Sequence, residues 1–322
     1  MKKTLALALA ALFTSLLALP ALAAPEARVY WAPPLGGSVF DESDGFDCEL
    51  WSQKGNDGTM VLTGAGNFEC SWDAFNILFR TGTKLGSTKT YEDYGTVIMD
   101  YGAEHNITRG DASYLCMYGW TENPMIEFYI VENHGTYKPP GGVGFQGTYE
   151  ADGSEYEVYI NTRVQQPSIH GTKTFEQYFA VRVDKRTEGT ITISEHFKEW
   201  DKLGLDMSGT MFEVSLCMEG YNSAGNANIY SHRLTIGEDV YGYVTEKPAA
   251  AFVPPALPPK DRPGTTPQPA APAQTDTPAA VTDRPAVTNP KTGIESRVLI
   301  ALGALAVGVA GLIVLSRRIH SR

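Results

Sequence analysis

Short runs of alternating apolar and polar residues recur along the chain between about residues 30 and 245. Alternation with a period of two, rich in Tyr, Phe, Val, Ile and Thr, is typical of β-strands that bury one face. Gly, Asn and Asp residues that favour turns separate the runs. The clearest runs lie at residues 114–120, 125–132, 156–164, 174–183 and 211–221. The pattern predicts an all-β domain.

One segment, residues 194–204, follows a helical pattern instead. Its apolar residues, Phe197 and Trp200 among them, recur every three positions. Ser194 can cap the start of a helix and Gly204 can end it. Many strands with a single α-helix predict a β-jelly-roll sandwich of two twisted antiparallel sheets, with the helix at about residues 194–204.

Composition changes after residue 245. Residues 247–288 are rich in Pro, Ala and Thr, a composition that forms extended linkers and cannot bury a core. The preceding region, residues 30–245, is long enough for one domain with its own core. We therefore expect one folded, monomeric domain followed by a linker.

The beginning of the chain has the layout of a secretory signal peptide. Lys2 and Lys3 precede an apolar stretch at residues 5–19, and a run of small residues around Ala23 follows. This order predicts a signal peptide over residues 1–23, and an uncleaved membrane anchor is the alternative.

The last part of the chain, residues 289–322, resembles a sortase sorting signal of the Leu-Pro-X-Thr-Gly type. Asn289 stands in the place of the leucine, an uncharged stretch at residues 298–315 follows, and the chain then becomes basic. The resemblance implies that a sortase cleaves between Thr292 and Gly293 and links the protein to peptidoglycan. The stretch at 298–315 is long enough to cross a bilayer before that step. We expect a secreted protein on the cell wall of a Gram-positive-type bacterium, with an outward-facing tail anchor in the plasma membrane as the alternative.

The chain is acidic, with a formal net charge of −11 at pH 7. This charge argues against a nucleic-acid partner, which requires clustered Lys and Arg. No Cys-x-x-Cys pair occurs, and the acidic run at residues 41–45 lacks the spacing of a calcium loop, so we expect neither a metal nor a cofactor. Three disulfide pairings, or four buried thiols, are open to the cysteines, which are Cys48, Cys70, Cys116 and Cys217.

Strand alternation places two glutamates among residues that suit a sugar cleft. Glu127 shares a strand face with Tyr129, and Glu219 shares one with Ser215 and Tyr221. A carboxyl in dry surroundings can hold a raised pKa and donate a proton. The pattern alone does not separate these two residues from solvated surface carboxylates.

Several segments in the same order resemble glycoside hydrolase family 11 xylanases. Together they cover the chain from Asp44 to about Ser231. They lie at residues 44–51, 64–72, 114–120, 123–137, 162–200 and 216–229. The resemblance implies an endo-1,4-β-xylanase that acts on xylan and xylo-oligosaccharides.

The resemblance also implies roles for single residues. Glu127 matches the nucleophile and Glu219 the acid/base. Asn67 matches the position beside the acid/base, where Asn accompanies a near-neutral pH optimum. The substrate-binding residues that it implies are Trp51, Asn67, Tyr118, Tyr129, Arg163, Pro167, Ser168, Ile169 and Gln177, with 167–169 at the tip of a thumb loop.

Family members retain the anomeric configuration, which requires two carboxyls about 5–5.5 Å apart. Glu127 is then ionised and attacks the sugar, while its charge raises the pKa of Glu219 so that the latter holds a proton. Two other functions fit parts of the sequence: a non-catalytic xylan-binding protein and a β-glucanase. Strand alternation also places Cys48 and Cys70 away from the cleft, which makes them the first disulfide pairing to test.

Overall fold

The computed structural model of the chain describes residues 27–110 and 112–259. These residues form fourteen strands and two helices. The strands are β1 Arg28–Trp31, β2 Gly37–Ser43, β3 Phe46–Ser52, β4 Gly58–Gly64, β5 Asn67–Lys84, β6 Val97–Arg109, β7 Ala112–Glu122, β8 Ile126–His134, β9 Phe145–Ala151, β10 Ser154–Ser168, β11 Gly171–Arg182, β12 Glu188–Ile191, β13 Thr210–Ile236 and β14 Asp239–Tyr243. The helices are α1 Tyr91–Tyr94 and α2 Ile193–Lys202.

The longest strands lie at the centre of the sheet, whose main order is β1-β4-β5-β13-β7-β8-β11-β10-β9. β5 pairs with β4 over residues 67–72 and with β3 over residues 77–82. β13 likewise changes its neighbour from β7 to β6 along its length. Because each of these strands serves two neighbours, the two predicted sheets join into one open, twisted sheet. The jelly-roll prediction is confirmed, with one pair, β8 and β11, running parallel.

Alternation along β13 separates two packed faces. Val214, Leu216 and Met218 are fully buried in the main core. Cys217 points to the opposite face, where it packs in a smaller cluster with Tyr118. Since each large apolar side chain contributes about 1.5–3 kcal/mol when buried, both clusters hold the sheet in shape. The smaller cluster underlies the cleft described below.

Helix α2 confirms the single predicted helix, starting one residue earlier and ending two residues sooner than expected. Phe197 and Trp200 are fully buried and pack edge-on against Phe128 of β8, with ring centroids 5.1 and 6.4 Å away. Helix α1 was not expected. Its four residues are too few to show a helical period, and a capping box between Thr90 and Asp93 stabilises it.

The first part of the proline-rich segment lies on the folded domain. Lys247 pairs with Glu104 of β6 at 2.9 Å, and the Thr59 hydroxyl of β4 donates to the Ala256 carbonyl at 2.7 Å. Thr59 is only 1% exposed. We call residues 247–259 the strap.

Several sequence predictions lie outside the described residues. These are the signal peptide at 1–23, the linker beyond residue 259, and the sorting signal at 289–322 with its apolar stretch at 298–315. Within the described ranges, no helix has the length and apolar character needed to cross a membrane.

The suggested Cys48–Cys70 disulfide is wrong. Cys48 lies across from Thr81, whereas Cys70 lies across from Met60, so the strand register holds the two thiols at different points along β5. All four cysteines are buried free thiols: Cys48, Cys70, Cys116 and Cys217.

Candidate active site

A cleft of about 280 Å³ opens on one face of the sheet. Strands β5, β7, β8 and β13 form its floor, and the β10–β11 hairpin covers one side. The structure brings all but one of the predicted catalytic and binding residues into its walls. Those that line it are Trp51, Tyr118, Glu127, Tyr129, Arg163, Pro167, Ser168, Ile169, Gln177 and Glu219.

Strand register explains why the two glutamates meet in the cleft. Glu127 of β8 lies between Trp120 of β7 and Gln177 of β11. Glu219 of β13 lies across from Leu78 of β5. Since side chains on one strand alternate between faces, both carboxyls project from the face that carries the smaller apolar cluster.

Glu127 is held as a hydrogen-bond acceptor. Gln177 donates to its Oε2 at 2.6 Å, and the Tyr118 hydroxyl donates to its Oε1 at 2.9 Å. Burial raises the pKa of Glu127, while the donors Gln177, Tyr118 and Tyr129 and the charge of Arg163 oppose that rise. Donors aimed at both oxygens favour the ionised form.

Glu219 has the opposite environment. Its Oε2 is buried and has no hydrogen-bond partner among the described residues. Burial first, and then the charge of Glu127, raise the pKa of Glu219 to about 8. Dry surroundings and the Glu127 charge were both expected to raise this pKa, and the structure identifies burial as the larger of the two causes. The two carboxyls therefore differ: donors on both oxygens of Glu127 favour its charged form, whereas the pKa of about 8 favours a proton on Glu219 at neutral pH.

A further set of contacts fixes the donors themselves. Asn161 donates to the Gln177 Oε1 at 2.8 Å, which orients the amide so that its nitrogen faces Glu127. The Trp120 indole donates to the Tyr118 hydroxyl at 2.5 Å. The hydroxyl oxygen is thereby occupied as an acceptor, and its own proton is donated to Glu127. Because the donors are already held in place, their side chains need little rearrangement when the charge in the cleft changes during the reaction.

The thumb tip, which comprises Pro167, Ser168 and Ile169, lies over the cleft at the end of the β10–β11 hairpin. The next residue, His170, makes a hydrogen-bond contact with Glu122 at the end of β7. This contact ties the end of the β10–β11 hairpin to the end of β7.

Asn67 is the one predicted binding residue that does not line the cleft. It begins β5 across from Gly64, whereas the asparagine of β5 in the cleft is Asn76, two residues from Leu78. The Asn76 Oδ1 is buried without a partner among the described residues. Leu78 lies opposite Glu219, and strand alternation places the residue two positions away, Asn76, on the same face. The pairing of β5 with β13 would therefore have identified Asn76.

A charged group on the cleft floor was also missed. Arg80 of β5 lies between Glu49 of β3, at 2.6 Å, and Glu213 of β13, at 2.8 Å. Its guanidinium carbon is 5.0 Å from the ring centroid of Tyr118. The signal in the sequence was weak, because three charged residues far apart in the chain give no motif.

Comparison with known proteins assigns the domain. A family model for "Glycosyl hydrolases family 11" matches residues 43–230. The chain belongs to this family. Over 211 residues the family 11 domain is 47% identical to the endo-1,4-beta-xylanase A of Thermoclostridium stercorarium, covering 64% of this chain and 32% of that protein. The endo-1,4-beta-xylanase A of Bacillus pumilus is 46% identical, covering 60% of this chain and 82% of that protein.

Solved structures agree with the family 11 assignment. The family 11 xylanase from Neocallimastix patriciarum superposes with a TM-score of 0.57 at 33% identity, covering 65% of this chain and 99% of that one. The chain spans about a third of the length of the first curated relatives that it matches. Within the described parts of the family 11 domain, no group of three or more His, Cys, Asp or Glu side chains could hold a metal ion.

Proposed function

We propose that this protein is an endo-1,4-β-xylanase that cleaves internal bonds of xylan with retention of configuration. The observation that carries the proposal is the unequal pair of buried carboxyls in one cleft, Glu127 with donors on both oxygens and Glu219 with a pKa of about 8. The relatives named as xylanases support the substrate class. A merely xylan-binding protein would not need this difference between the two carboxyls.

In the first step, the Glu127 carboxylate forms a bond to the anomeric carbon as the glycosidic bond breaks. Glu219 gives its proton to the leaving oxygen, which departs as a sugar hydroxyl. Tyr118 and Gln177 donate to Glu127 throughout, so they orient the attacking oxygen and limit its movement. The result is a covalent glycosyl ester on Glu127.

In the second step, Glu219 takes a proton from a water molecule, which attacks the same carbon and displaces Glu127. Esterification removes the charge of Glu127, which is the second cause of the high pKa of Glu219. The pKa of Glu219 therefore falls once the ester forms, and the residue becomes a base at the moment when a base is needed. Two inversions at one carbon give net retention.

The direct test is release of reducing sugar from glucuronoxylan and from cellulose. The native chain should act on the xylan, and Glu127→Ala and Glu219→Ala should each lose at least about 10³-fold in kcat. Undiminished release by either variant would refute the residue assignment. Activity on cellulose without activity on xylan would identify a β-glucanase instead.

We also propose that the enzyme is exported and displayed on the cell wall. The support is in the sequence: a signal-peptide pattern at residues 1–23 and the sorting motif at 289–293 with its following apolar stretch. Changing Thr292 to Ala should move the protein out of the covalent peptidoglycan fraction into the membrane or the medium. An unchanged distribution would favour the tail anchor.

A further inference from the structure

One buried carboxylate oxygen in the cleft has no use in the reaction steps above. Glu213 of β13 is 3% exposed and lines the cleft. It lies six residues from Glu219 on the same strand face, which corresponds to about 20 Å along the strand. It is therefore too remote to act on the bond that Glu127 and Glu219 cleave.

The two oxygens of Glu213 differ. Oε1 accepts from the Arg80 Nε at 2.8 Å and from the Ser215 hydroxyl at 2.7 Å. Oε2 is buried and has no hydrogen-bond partner among the described residues. A buried carboxylate oxygen without a donor destabilises the folded state. Such an oxygen usually receives its hydrogen bond from a water molecule or a ligand.

The neighbouring cations do not complete Glu213. Arg80 turns its other end to Glu49, at 2.6 Å. Lys84, the cross-strand neighbour of Glu213, places its ammonium 4.6 Å from the centre of the Phe40 ring. The described side chains around Glu213 therefore leave its Oε2 without a donor, at a residue that lines the cleft.

The other carboxylate on Arg80 provides a contrast. Glu49 uses one oxygen for Arg80 and receives the Ser38 hydroxyl on the other at 2.6 Å. Both residues line the cleft and both neutralise the same arginine. Of these two carboxylates, Glu213 is the one with an oxygen that lacks a partner among the described residues.

We propose that Glu213, positioned by Arg80 and Ser215, is a substrate-binding residue whose Oε2 accepts a hydrogen bond from a hydroxyl of a neutral sugar ring remote from the cleaved bond. This inference rests on the proposed function, because it takes the ligand to be a chain of xylose units. A carboxylate only accepts, so the ring must donate, as an unsubstituted xylose hydroxyl does.

The test compares Glu213→Gln with Glu49→Gln in the full chain, using xylohexaose. Binding is measured by calorimetry with Glu127→Ala also present to prevent hydrolysis, and kcat and KM are measured without that change. Glu213→Gln should weaken binding about 10- to 100-fold, the range expected for a hydrogen bond to a charged group. The value of kcat at saturation should stay within about threefold, because the change lies far from the reacting carbon.

Glu49→Gln is the matched control, since it removes a charge from the same arginine but no free oxygen. It should weaken binding less than about threefold. Equal losses in both variants would show that Glu213 acts only by holding Arg80, and unchanged binding by Glu213→Gln would show that its oxygen is not used; either result overturns the proposal.

Two further measurements keep these outcomes distinct from trivial ones. Thermal melting shows whether each variant is folded. If Glu213→Gln does not fold, Glu213→Asp is used instead, because it moves the oxygen away from the cleft and keeps the charge. Glu213→Asp should show the same loss of affinity. If the native chain neither binds nor hydrolyses xylohexaose, the proposed function itself fails. Native activity with unchanged binding in the Glu213 variants refutes only this inference.

Discussion

The coupling between the two carboxyls leads to a prediction for Glu127→Gln. The amide keeps the volume of the side chain and removes its charge. Two unit charges about 5.5 Å apart, the spacing expected of a retaining pair, interact by about 3 kcal/mol at an effective dielectric constant of about 20. Since about 1.4 kcal/mol corresponds to a tenfold change in an acid dissociation constant, the pKa of Glu219 should fall from about 8 to roughly 6.

The pKa of Glu219 should nevertheless stay above 4.5, its ordinary value, because burial is the larger cause of its rise and the substitution leaves burial intact. The assay is a pH titration by NMR of protein labelled with ¹³C at the glutamate side-chain carboxyl, with Glu219→Gln used to assign the resonance. A titration still near pH 8 would show that the Glu127 charge has no effect. A titration at 4.5 would show that burial has none.

Three further outcomes follow from the same contacts. Native activity should fall as the pH rises through about 8, because Glu219 must hold a proton to donate it; a plateau to pH 10 would contradict this. Gln177→Leu removes a donor that lowers the pKa of Glu127, so the acid side of the pH–rate profile should move to higher pH, with kcat reduced about 10- to 100-fold. Ending the chain at residue 246 instead of 259 removes the strap and leaves the Thr59 hydroxyl without its acceptor, which should cost about 1–3 kcal/mol and lower Tm by several degrees; equal Tm values would show that the strap does not stabilise the domain.

The pattern of the chain was enough to predict the parts of the molecule that depend on local alternation. It placed Glu127 and Tyr129 on one face and predicted α2 from the spacing of Phe197 and Trp200. Those features depend on periods of two and about three and a half residues, which are visible in any one strand or helix. Alternation therefore fixed the strand face of cleft residues on such short, regular segments, and the resemblance to family 11 supplied their roles.

The remaining features depend on register between strands that are distant in the chain. Asn67 was assigned from the resemblance, but β5 is 18 residues long and its pairing with β13 brings Asn76 to the cleft instead. The same limit concealed Arg80, whose partners come from β3 and β13. The Cys48 prediction failed for the same reason, since alternation fixes a face but not the position along it.

The central claim is that Glu127 attacks xylan and Glu219 assists. It is tested most directly by trapping the intermediate with an activated 2-deoxy-2-fluoro xylobioside, which slows the second step more than the first. Mass spectrometry of the digested protein should find one 2-fluoroxylobiosyl group on Glu127, and the hydrolysis product of a natural substrate should first appear as the β-anomer. A label on any other residue, or first appearance of the α-anomer, would contradict the account.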